Sequence, residues 1–271
     1  MKFMKLALAS MLVLALSATA WAGEISINGS TTVLPIMQKV AENYMAANKG
    51  VTLSVAGGGS GNGIKAIIDG TTDICMASRQ MKDKEIELAK EKGRNPKEIS
   101  IAKDALVPVV HPSNGVKALS TDQLRDIYEG KITNWKQVGG ADATIVVISR
   151  DTSSGTYETW EGRVMKEAKV FPGALLQASN GAVVQAVSKN KNAIGYIGIG
   201  YLDSSIKAVP VDGVMGSKKT ALDGTYPIAR FLYLYINGEP TGEIGNIVKY
   251  VLDPKQGQKA VAEVGYVPLS E

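Results

Sequence analysis

Short apolar strands that alternate with helical segments are the feature of this sequence that most limits its fold. Residues 24–28 alternate apolar and polar side chains, and residues 51–56 form a second strand-like segment. Further apolar, β-branched runs surround Cys75 and cover residues 105–110 and 144–148. Helical segments separate these runs, so the pattern predicts βαβ units with a mainly parallel sheet. The expected fold class is α/β.

Two long β-rich runs divide the chain into blocks. They cover residues 105–110 and 226–237. Helical segments are predicted near residues 33–48, 64–69, 82–92, 120–129, 157–169, 181–189, 241–252 and 254–264. The block between the two long runs has its own strands and helices, so we expect the chain to cross into a second lobe and to return.

Residues 1–22 have the pattern of a secretory signal peptide. Two lysines lie in the first five residues, residues 6–16 are an apolar run too short to span a membrane, and residues 20–22 form a small-x-small cleavage site. We expect a mature chain from Gly23 and a periplasmic location. A membrane anchor is disfavoured because no stop-transfer pattern follows. No cysteine lies near the cleavage site, so no lipid anchor is predicted.

The chain after the signal peptide is long enough for two lobes, each with its own core. Loss of the two leader lysines lowers the formal net charge from +4 to +2. A nearly neutral chain gives no indication of a nucleic-acid or membrane partner. Cys75 is the single cysteine, and its apolar neighbours predict a core thiol. Stability must therefore come from packing, without an intrachain disulfide.

Residues 149–156 place a fixed cation and several small donors between a strand and a helix. Arg150 carries a planar, protonated guanidinium that can hold two oxygens. Ser154 and Thr156 add hydroxyls, and Gly155 lets the backbone approach a ligand closely. Free backbone N–H groups at a helix start attract anions, so this turn predicts an anion site. The alternative is an ordinary N-cap, since Ser and Thr are favoured there.

Two more turns repeat this chemistry. Residues 29–32 read Gly-Ser-Thr-Thr, and residues 60–63 read Ser-Gly-Asn-Gly. Both lie between a predicted strand and a helix, and ligands of open α/β sheets bind beyond the carboxyl ends of the strands. We therefore expect the three turns to converge on one small oxyanion. Capping at residues 29–32 and a tight surface turn at residues 60–63 are the alternatives.

Catalytic interpretations have less support. The glycine-rich loop is not a Walker A motif, because Ile64 follows its last glycine in place of lysine. A serine nucleophile would need a base, and the single histidine, His111, lies beside Pro112 at a predicted strand end. No group of His, Cys and carboxylate residues has metal-ligand spacing. We expect a binding protein with no cofactor.

Six stretches together resemble the phosphate-binding subunits of ABC-type phosphate importers. They are residues 29–32, 58–64, 109–112, 130–135, 150–156 and 192–196, which include Gly-Ser-Thr-Thr, Gly-Gly-Ser-Gly-Asn-Gly-Ile and Lys-Ile-Thr-Asn-Trp. The resemblance covers nearly all of the chain after the signal peptide. It implies a two-lobed, type II-like periplasmic-binding-protein fold, in which two hinge strands join the lobes. Residues 23–109 with 228–271 would form the first lobe, and residues 110–227 the second.

The resemblance also implies a function. Such a protein is a monomer that binds inorganic phosphate tightly without turnover and delivers it to a membrane permease served by a cytoplasmic ATPase. Arsenate should enter the same site because its shape and protonation are similar. A periplasmic phosphohydrolase remains an alternative, as does a binding protein for sulfate, molybdate or tungstate.

The implied phosphate ligands are Thr31, Thr32 and Ser60 in the first lobe and Arg150, Ser154, Gly155 and Thr156 in the second. One position departs from the family pattern. Well-studied members carry an aspartate that accepts the phosphate proton and excludes sulfate, whereas this chain has Arg79. We expect Arg79 to donate to the anion, the alternative being a solvated arginine before the next helix. Asp151 is the nearest candidate for a replacement acceptor, unless it only orients Arg150 or faces solvent.

Overall fold

A computed structural model describes residues 24–269, and the predicted signal peptide lies outside the described residues. Strands and helices alternate along most of this range, which confirms the α/β fold class. The strands are β1 (Ile25–Gly29), β2 (Leu53–Gly57), β3 (Ile74–Ala77), β4 (Pro96–Val110), β5 (Val146–Arg150), β6 (Leu175–Gln177), β7 (Ala193–Gly198), β8 (Lys207–Ala208) and β9 (Ala229–Asn237). The α-helices are α1 (Leu34–Ala47), α2 (Ser60–Asp69), α3 (Asp83–Glu91), α4 (Thr121–Tyr128), α5 (Gly155–Trp160), α6 (Asn180–Ser188), α7 (Lys218–Leu222), α8 (Gly242–Leu252) and α9 (Gly257–Glu263).

The strands form one mixed sheet in the order β2-β1-β3-β9-β4-β7-β5-β6, and β8 pairs with β4. β1 is parallel to β2 and β3, and β5 is parallel to β6 and β7. β9 runs antiparallel to β3 and β4, and β4 runs antiparallel to β7. Each half of the sheet thus has a parallel part built from βαβ units, and the long strands β4 and β9 are antiparallel additions.

β4 connects the two halves of the sheet. Residues 96–105 pair with β9, whereas residues 106–110 pair with β7. The point at which β4 changes from pairing with β9 to pairing with β7 lies close to the predicted lobe boundary at residue 109. β9 begins next to residue 228, where the chain was predicted to return to the first lobe. The exact limits of the lobes stay a prediction.

The core is apolar on both sides of the sheet. In the first lobe, α1 buries Ile36, Met37 and Val40, which contact the sheet residues of the main hydrophobic cluster. In the second lobe, Trp160 at the end of α5 stacks on Tyr196 of β7, with ring centroids 4.3 Å apart and planes 6° apart. This stacking fixes the position of α5, whose first residues belong to the predicted anion site.

Three helices differ from the sequence prediction, and one of them, α7, was not predicted. α2 begins at Ser60 rather than Ile64, so the glycines at its start are helical. A Cβ at Gly63 would lie 2.6 Å from Gly29 Cα, so glycine is needed for close packing of α2 on β1. The helix predicted from Tyr157 to Lys169 ends at Trp160, where a π-helical turn over Glu161–Met165 follows. Within residues 24–269, no helix is both long and apolar enough to cross a membrane.

Candidate functional site

The predicted hydroxyl and glycine ligands lie in three turns, each of which follows the carboxyl end of a strand. Thr31 and Thr32 follow β1, Ser60 follows β2, and Ser154 to Thr156 follow β5. All of these hydroxyl-bearing side chains are buried. Buried hydroxyls need hydrogen-bond partners, so their contacts define the site.

Direct contacts show that the turns converge. Thr32 Oγ1 and Thr156 Oγ1 are 2.8 Å apart, although 124 positions separate them in the sequence. The backbone N–H of Gly61 donates to the carbonyl of Ser153 at 2.9 Å. A Cβ at Gly155 would lie 2.8 Å from Ser78 Oγ and closer still to Ser60 Oγ. The turn after β5 is therefore packed directly against both turns of the first lobe.

Each predicted hydroxyl accepts a hydrogen bond from a protein N–H group. Ser60 Oγ accepts from the Ser78 backbone at 3.0 Å, and Ser154 Oγ accepts from the Tyr157 backbone at 3.2 Å. The Ser154 contact is an N-cap hydrogen bond, which is the alternative to an anion site that the sequence pattern also allowed. A hydroxyl whose oxygen is already an acceptor still has its proton to donate. Capping and anion binding are therefore compatible at these turns.

Arg150 supplies a buried positive charge. Its side chain is 1% exposed, Nε donates to the Gln177 carbonyl at 2.9 Å, and Nη2 donates to the Ala178 carbonyl at 3.1 Å. Nη1 has no hydrogen-bond partner among the described residues. Burial lowers the pKa of the guanidinium, and the nearby Asp151 carboxylate opposes this shift. A buried cationic nitrogen without a partner is costly, so Nη1 is a strong donor for an anion.

Arg79 has a different environment from Arg150. Its Nη1 and Nη2 donate to the two carboxylate oxygens of Glu85 at 2.7 and 2.8 Å, and Nε forms an ion pair with Glu158 of α5. The side chain is 10% exposed, so it is not a solvated arginine. Two carboxylates already balance its charge. The predicted role as a phosphate donor is not supported by this pairing and stays a prediction.

Asp151, the candidate acceptor, stabilises the turn. Its Oδ1 accepts from the backbone N–H of Ser153 at 2.9 Å and also contacts the Ser153 hydroxyl. Its Oδ2 lies 3.9 Å from Nη2 of Arg150. The carboxylate thus stabilises the turn and lies beside the guanidinium of Arg150. This position agrees with the alternative prediction, in which Asp151 orients Arg150.

Asn180 is a site residue that the sequence prediction missed. Its fully buried side chain donates from Nδ2 to Thr31 Oγ1 at 3.0 Å and to Thr32 Oγ1 at 3.1 Å. The amide orientation is fixed because Oδ1 accepts from the Gly198 backbone at 3.1 Å. The sequence position of Asn180 could have indicated this role. Asn180 follows Ser179 at the start of α6, in a fourth polar strand-to-helix turn.

Arg230 is the second missed residue. It lies in β9 opposite Asp104 of β4, and its Nε donates to Asp104 Oδ2 at 2.9 Å. Asp104 is fully buried; burial raises the pKa of its carboxyl, and Arg230 opposes that shift. Nη2 of Arg230 donates to Thr156 Oγ1 at 3.1 Å. Asp104 directly precedes the apolar run of residues 105–110, and Arg230 lies within the β-rich run of residues 226–237; these opposite charges were the signal, but only the strand register shows that they pair.

His111 lies outside this arrangement. Its Nδ1 is 2.8 Å from the Ser113 hydroxyl, within an exposed turn after β4. The predicted ligand hydroxyls accept instead from backbone, amide and guanidinium N–H groups. The site therefore offers hydrogen-bond donors and a cationic nitrogen, Nη1 of Arg150, that has no partner within residues 24–269, an arrangement suited to holding a small anion.

Comparison with known proteins supports the sequence resemblance. A family model described as a PBP superfamily domain matches residues 17–255. The phosphate-binding protein PstS of Bacillus subtilis is 31% identical over 253 residues, which cover 92% of this chain and 82% of that protein. The phosphate-binding protein PstS of Staphylococcus saprophyticus is 34% identical over 261 residues, which cover 91% of this chain and 81% of that protein.

Solved structures agree with these matches. A protein assigned as a phosphate ABC transporter substrate-binding protein from Clostridium perfringens, solved with bound phosphate, is 36% identical, with a TM-score of 0.85 and coverage of 92% of this chain and 100% of that chain. An ABC-type phosphate transport receptor from Vibrio cholerae is 33% identical, with a TM-score of 0.72 and coverage of 90% and 99%. The two-lobed fold is thereby confirmed. The chain belongs to the PBP superfamily, in the family of ABC-type phosphate-binding proteins.

Proposed function

We propose that this protein binds inorganic phosphate between its two lobes. The supporting observation is the set of buried hydroxyls that accept from protein N–H groups, beside Nη1 of Arg150, which has no hydrogen-bond partner among the described residues. A tetrahedral oxyanion can accept from several converging donors at once. The relatives named above as phosphate-binding proteins support phosphate as that anion.

The proposed ligands act from opposite sides of the site. The first lobe contributes hydroxyl donors, and the second contributes hydroxyls, a close backbone approach at Gly155 and the Arg150 charge. The proposed ligand set is Thr31, Ser60, Arg150, Ser154, Gly155 and Thr156, and the hydroxyl of Thr32 contacts that of Thr156. Arg79 is placed outside this set, because Glu85 and Glu158 already occupy its guanidinium.

The proposed role is delivery rather than catalysis. A phosphohydrolase needs a base next to its nucleophile or an activated water. The site hydroxyls of this chain instead accept from fixed N–H groups, and His111 bonds Ser113 in an exposed turn. The protein would act outside the cytoplasm, after export by its signal peptide, and would hand phosphate to an ABC-type permease as a monomer. Arsenate, with the same shape and similar protonation, would enter the same site.

Calorimetry on anion-stripped protein tests the proposal. We expect tight, saturable phosphate binding, similar binding of arsenate, and weak competition by sulfate, molybdate and tungstate. A protein that prefers one of these last three anions to phosphate would refute the assignment of the ligand. Steady release of phosphate from an ester substrate would support the hydrolase alternative.

Arg150→Ala tests the proposed role of Arg150 as a phosphate ligand. Loss of a buried charge-assisted contact costs about 2–5 kcal/mol, so phosphate affinity should fall more than about tenfold. Arg125→Ala serves as the control, because Arg125 pairs with Asp122 on α4, in a contact confined to that helix. Equal affinities in the two folded variants would remove Arg150 from the ligand set.

A further inference from the structure

Arg230 contacts two hydroxyls of the proposed phosphate site. Its Nη2 donates to Thr156 Oγ1 at 3.1 Å and lies 3.4 Å from Thr32 Oγ1. These are the two oxygens that meet across the site at 2.8 Å. A fixed cation therefore lies directly behind both hydroxyls.

This arrangement determines where the hydroxyl protons lie. Thr32 Oγ1 accepts from Asn180 Nδ2 and from Arg230, so its two lone pairs are occupied. Its proton must then be donated to Thr156 Oγ1. Thr156 accepts this bond together with the one from Arg230, which occupies its own lone pairs. The proton of Thr156 is thereby left free for a ligand.

Arg230 also joins the two lobes. On the first-lobe side it contacts Asp104 and the Ser78 carbonyl, the latter at 3.2 Å. On the second-lobe side its Nη1 donates to the Gly155 carbonyl at 3.3 Å and to Thr159 Oγ1 at 3.1 Å. If the lobes separate, the contacts with α5 are lost while the pair with Asp104 remains. Arg230 therefore favours the arrangement in which the two lobes meet.

We propose that Arg230 is a positioning residue of the phosphate site, which orients the Thr32 and Thr156 protons toward donation and links them to contact between the lobes. This inference rests on the proposed function. Arg230 lies outside the ligand set implied by the family resemblance, and it acts through the two threonines rather than as the main anion charge. Asp104 supports it by holding the guanidinium in place from β4.

A double-mutant cycle tests the proposal. Arg230→Gln should lower phosphate affinity by about tenfold or more in calorimetry. Thr156→Val, which removes the oriented hydroxyl but keeps the side-chain shape, should also weaken binding. Because Arg230 acts through this hydroxyl, the double variant should lose little more affinity than the weaker-binding single variant. Additive losses would overturn the proposal, since a purely structural role of Arg230 would not couple to one hydroxyl.

Arg163→Gln is the matched control. Arg163 is an exposed arginine that lines the same surface groove as Arg230, and it should bind phosphate like the wild type. A wild type that fails to bind phosphate would reject the proposed function and this inference together. If the wild type binds phosphate and Arg230→Gln binds it with the same affinity, the role proposed for Arg230 is rejected and the proposed function is not.

A second pair of variants covers the case in which Arg230→Gln does not fold, because it leaves the buried Asp104 carboxylate unpaired. Asp104→Asn keeps Arg230 and its hydroxyl contacts, whereas Asp104→Asn with Arg230→Gln removes both charges. We expect Asp104→Asn to bind phosphate at least about tenfold more tightly than the double variant. Equal affinities would overturn the positioning role.

Discussion

Gly155 of the proposed ligand set has no room for a side chain. An added methyl group would lie 2.8 Å from Ser78 Oγ and closer to Ser60 Oγ, both of the first lobe. Its φ lies outside the region that favours glycine, so the only expected effect of alanine is steric. We expect Gly155→Ala to hold the lobes apart and to weaken phosphate binding by about tenfold or more, as judged by calorimetry.

Gly162→Ala provides the matched control for this change. Its added Cβ would meet only Glu167 Oε1, at an ordinary distance of 3.6 Å. Phosphate affinity should therefore be unchanged in Gly162→Ala. If Gly155→Ala also binds like the wild type, the turn after β5 does not approach the first lobe as closely as its contacts indicate.

Sequence reasoning found the hydroxyl turns because their chemistry is local. Ser60 and Thr156 each lie where a strand gives way to a helix, and the family resemblance added the ligand roles. Asn180 and Arg230 were missed for a physical reason: their roles depend on partners about 150 and 74 positions away, at Thr31 and Thr156. Such contacts follow from strand register and lobe packing, which a local pattern does not specify.

Arg79 illustrates the same limit. The sequence showed a cation in place of an acidic residue, and from that alone a donor role was reasonable. The structure shows Glu85 in the first turn of α3 and Glu158 on α5, both paired with Arg79. The partners of a long, flexible cation are decided by tertiary structure, so its charge alone did not specify these two carboxylates.

At the scale of elements, β4 was only partly predicted. Residues 105–110 are continuously apolar and were recognised, whereas the strand begins at Pro96. The earlier part contains Lys97, Glu98 and Ser100, which obscure the alternation. Its pairing with β9 stabilises this part regardless of side-chain polarity.

α5 carries a contact between the lobes at some distance from the proposed phosphate ligands. Glu158, one turn after Ser154, pairs with Arg79 and, at 3.2 Å, with Lys82 of the first lobe. Its side chain is 16% exposed, so solvent only partly screens the pair with Arg79. The pair therefore stabilises the arrangement in which α5 meets the start of α3.

We expect Glu158→Gln to weaken phosphate binding indirectly. A partly exposed ion pair contributes about 1 kcal/mol, which corresponds to roughly fivefold in affinity. The difference between wild type and variant should shrink as salt is added, because salt screens the pair. Titrations at low and high ionic strength would measure this effect.

Glu161→Gln is the control variant for Glu158→Gln. Glu161 pairs with Lys169 inside the second lobe, so its loss breaks no contact between lobes. Its affinity for phosphate should match the wild type at both salt concentrations. An equal, small effect of the two variants would show that the Glu158 pair does not influence the association of the lobes.

At the scale of the whole molecule, the contacts between the lobes cluster around the proposed phosphate site. Thr32 meets Thr156, Asn180 donates to Thr31, and Arg230 reaches α5. The covalent connections run along β4 and through the segment that leads into β9. A molecule joined by two strands, with its polar contacts concentrated at one cleft, is suited to hinge motion.

Phosphate should therefore shift the protein toward the form in which the lobes meet, because only that form offers donors from both sides. We expect small-angle scattering to give a smaller radius of gyration with saturating phosphate than for anion-stripped protein. Arg150→Ala, at a phosphate concentration that saturates only the wild type, should keep the larger radius. Identical scattering of the wild type with and without phosphate would show that the lobes do not close on the anion. In that case, binding would have to occur within a cleft that is already formed.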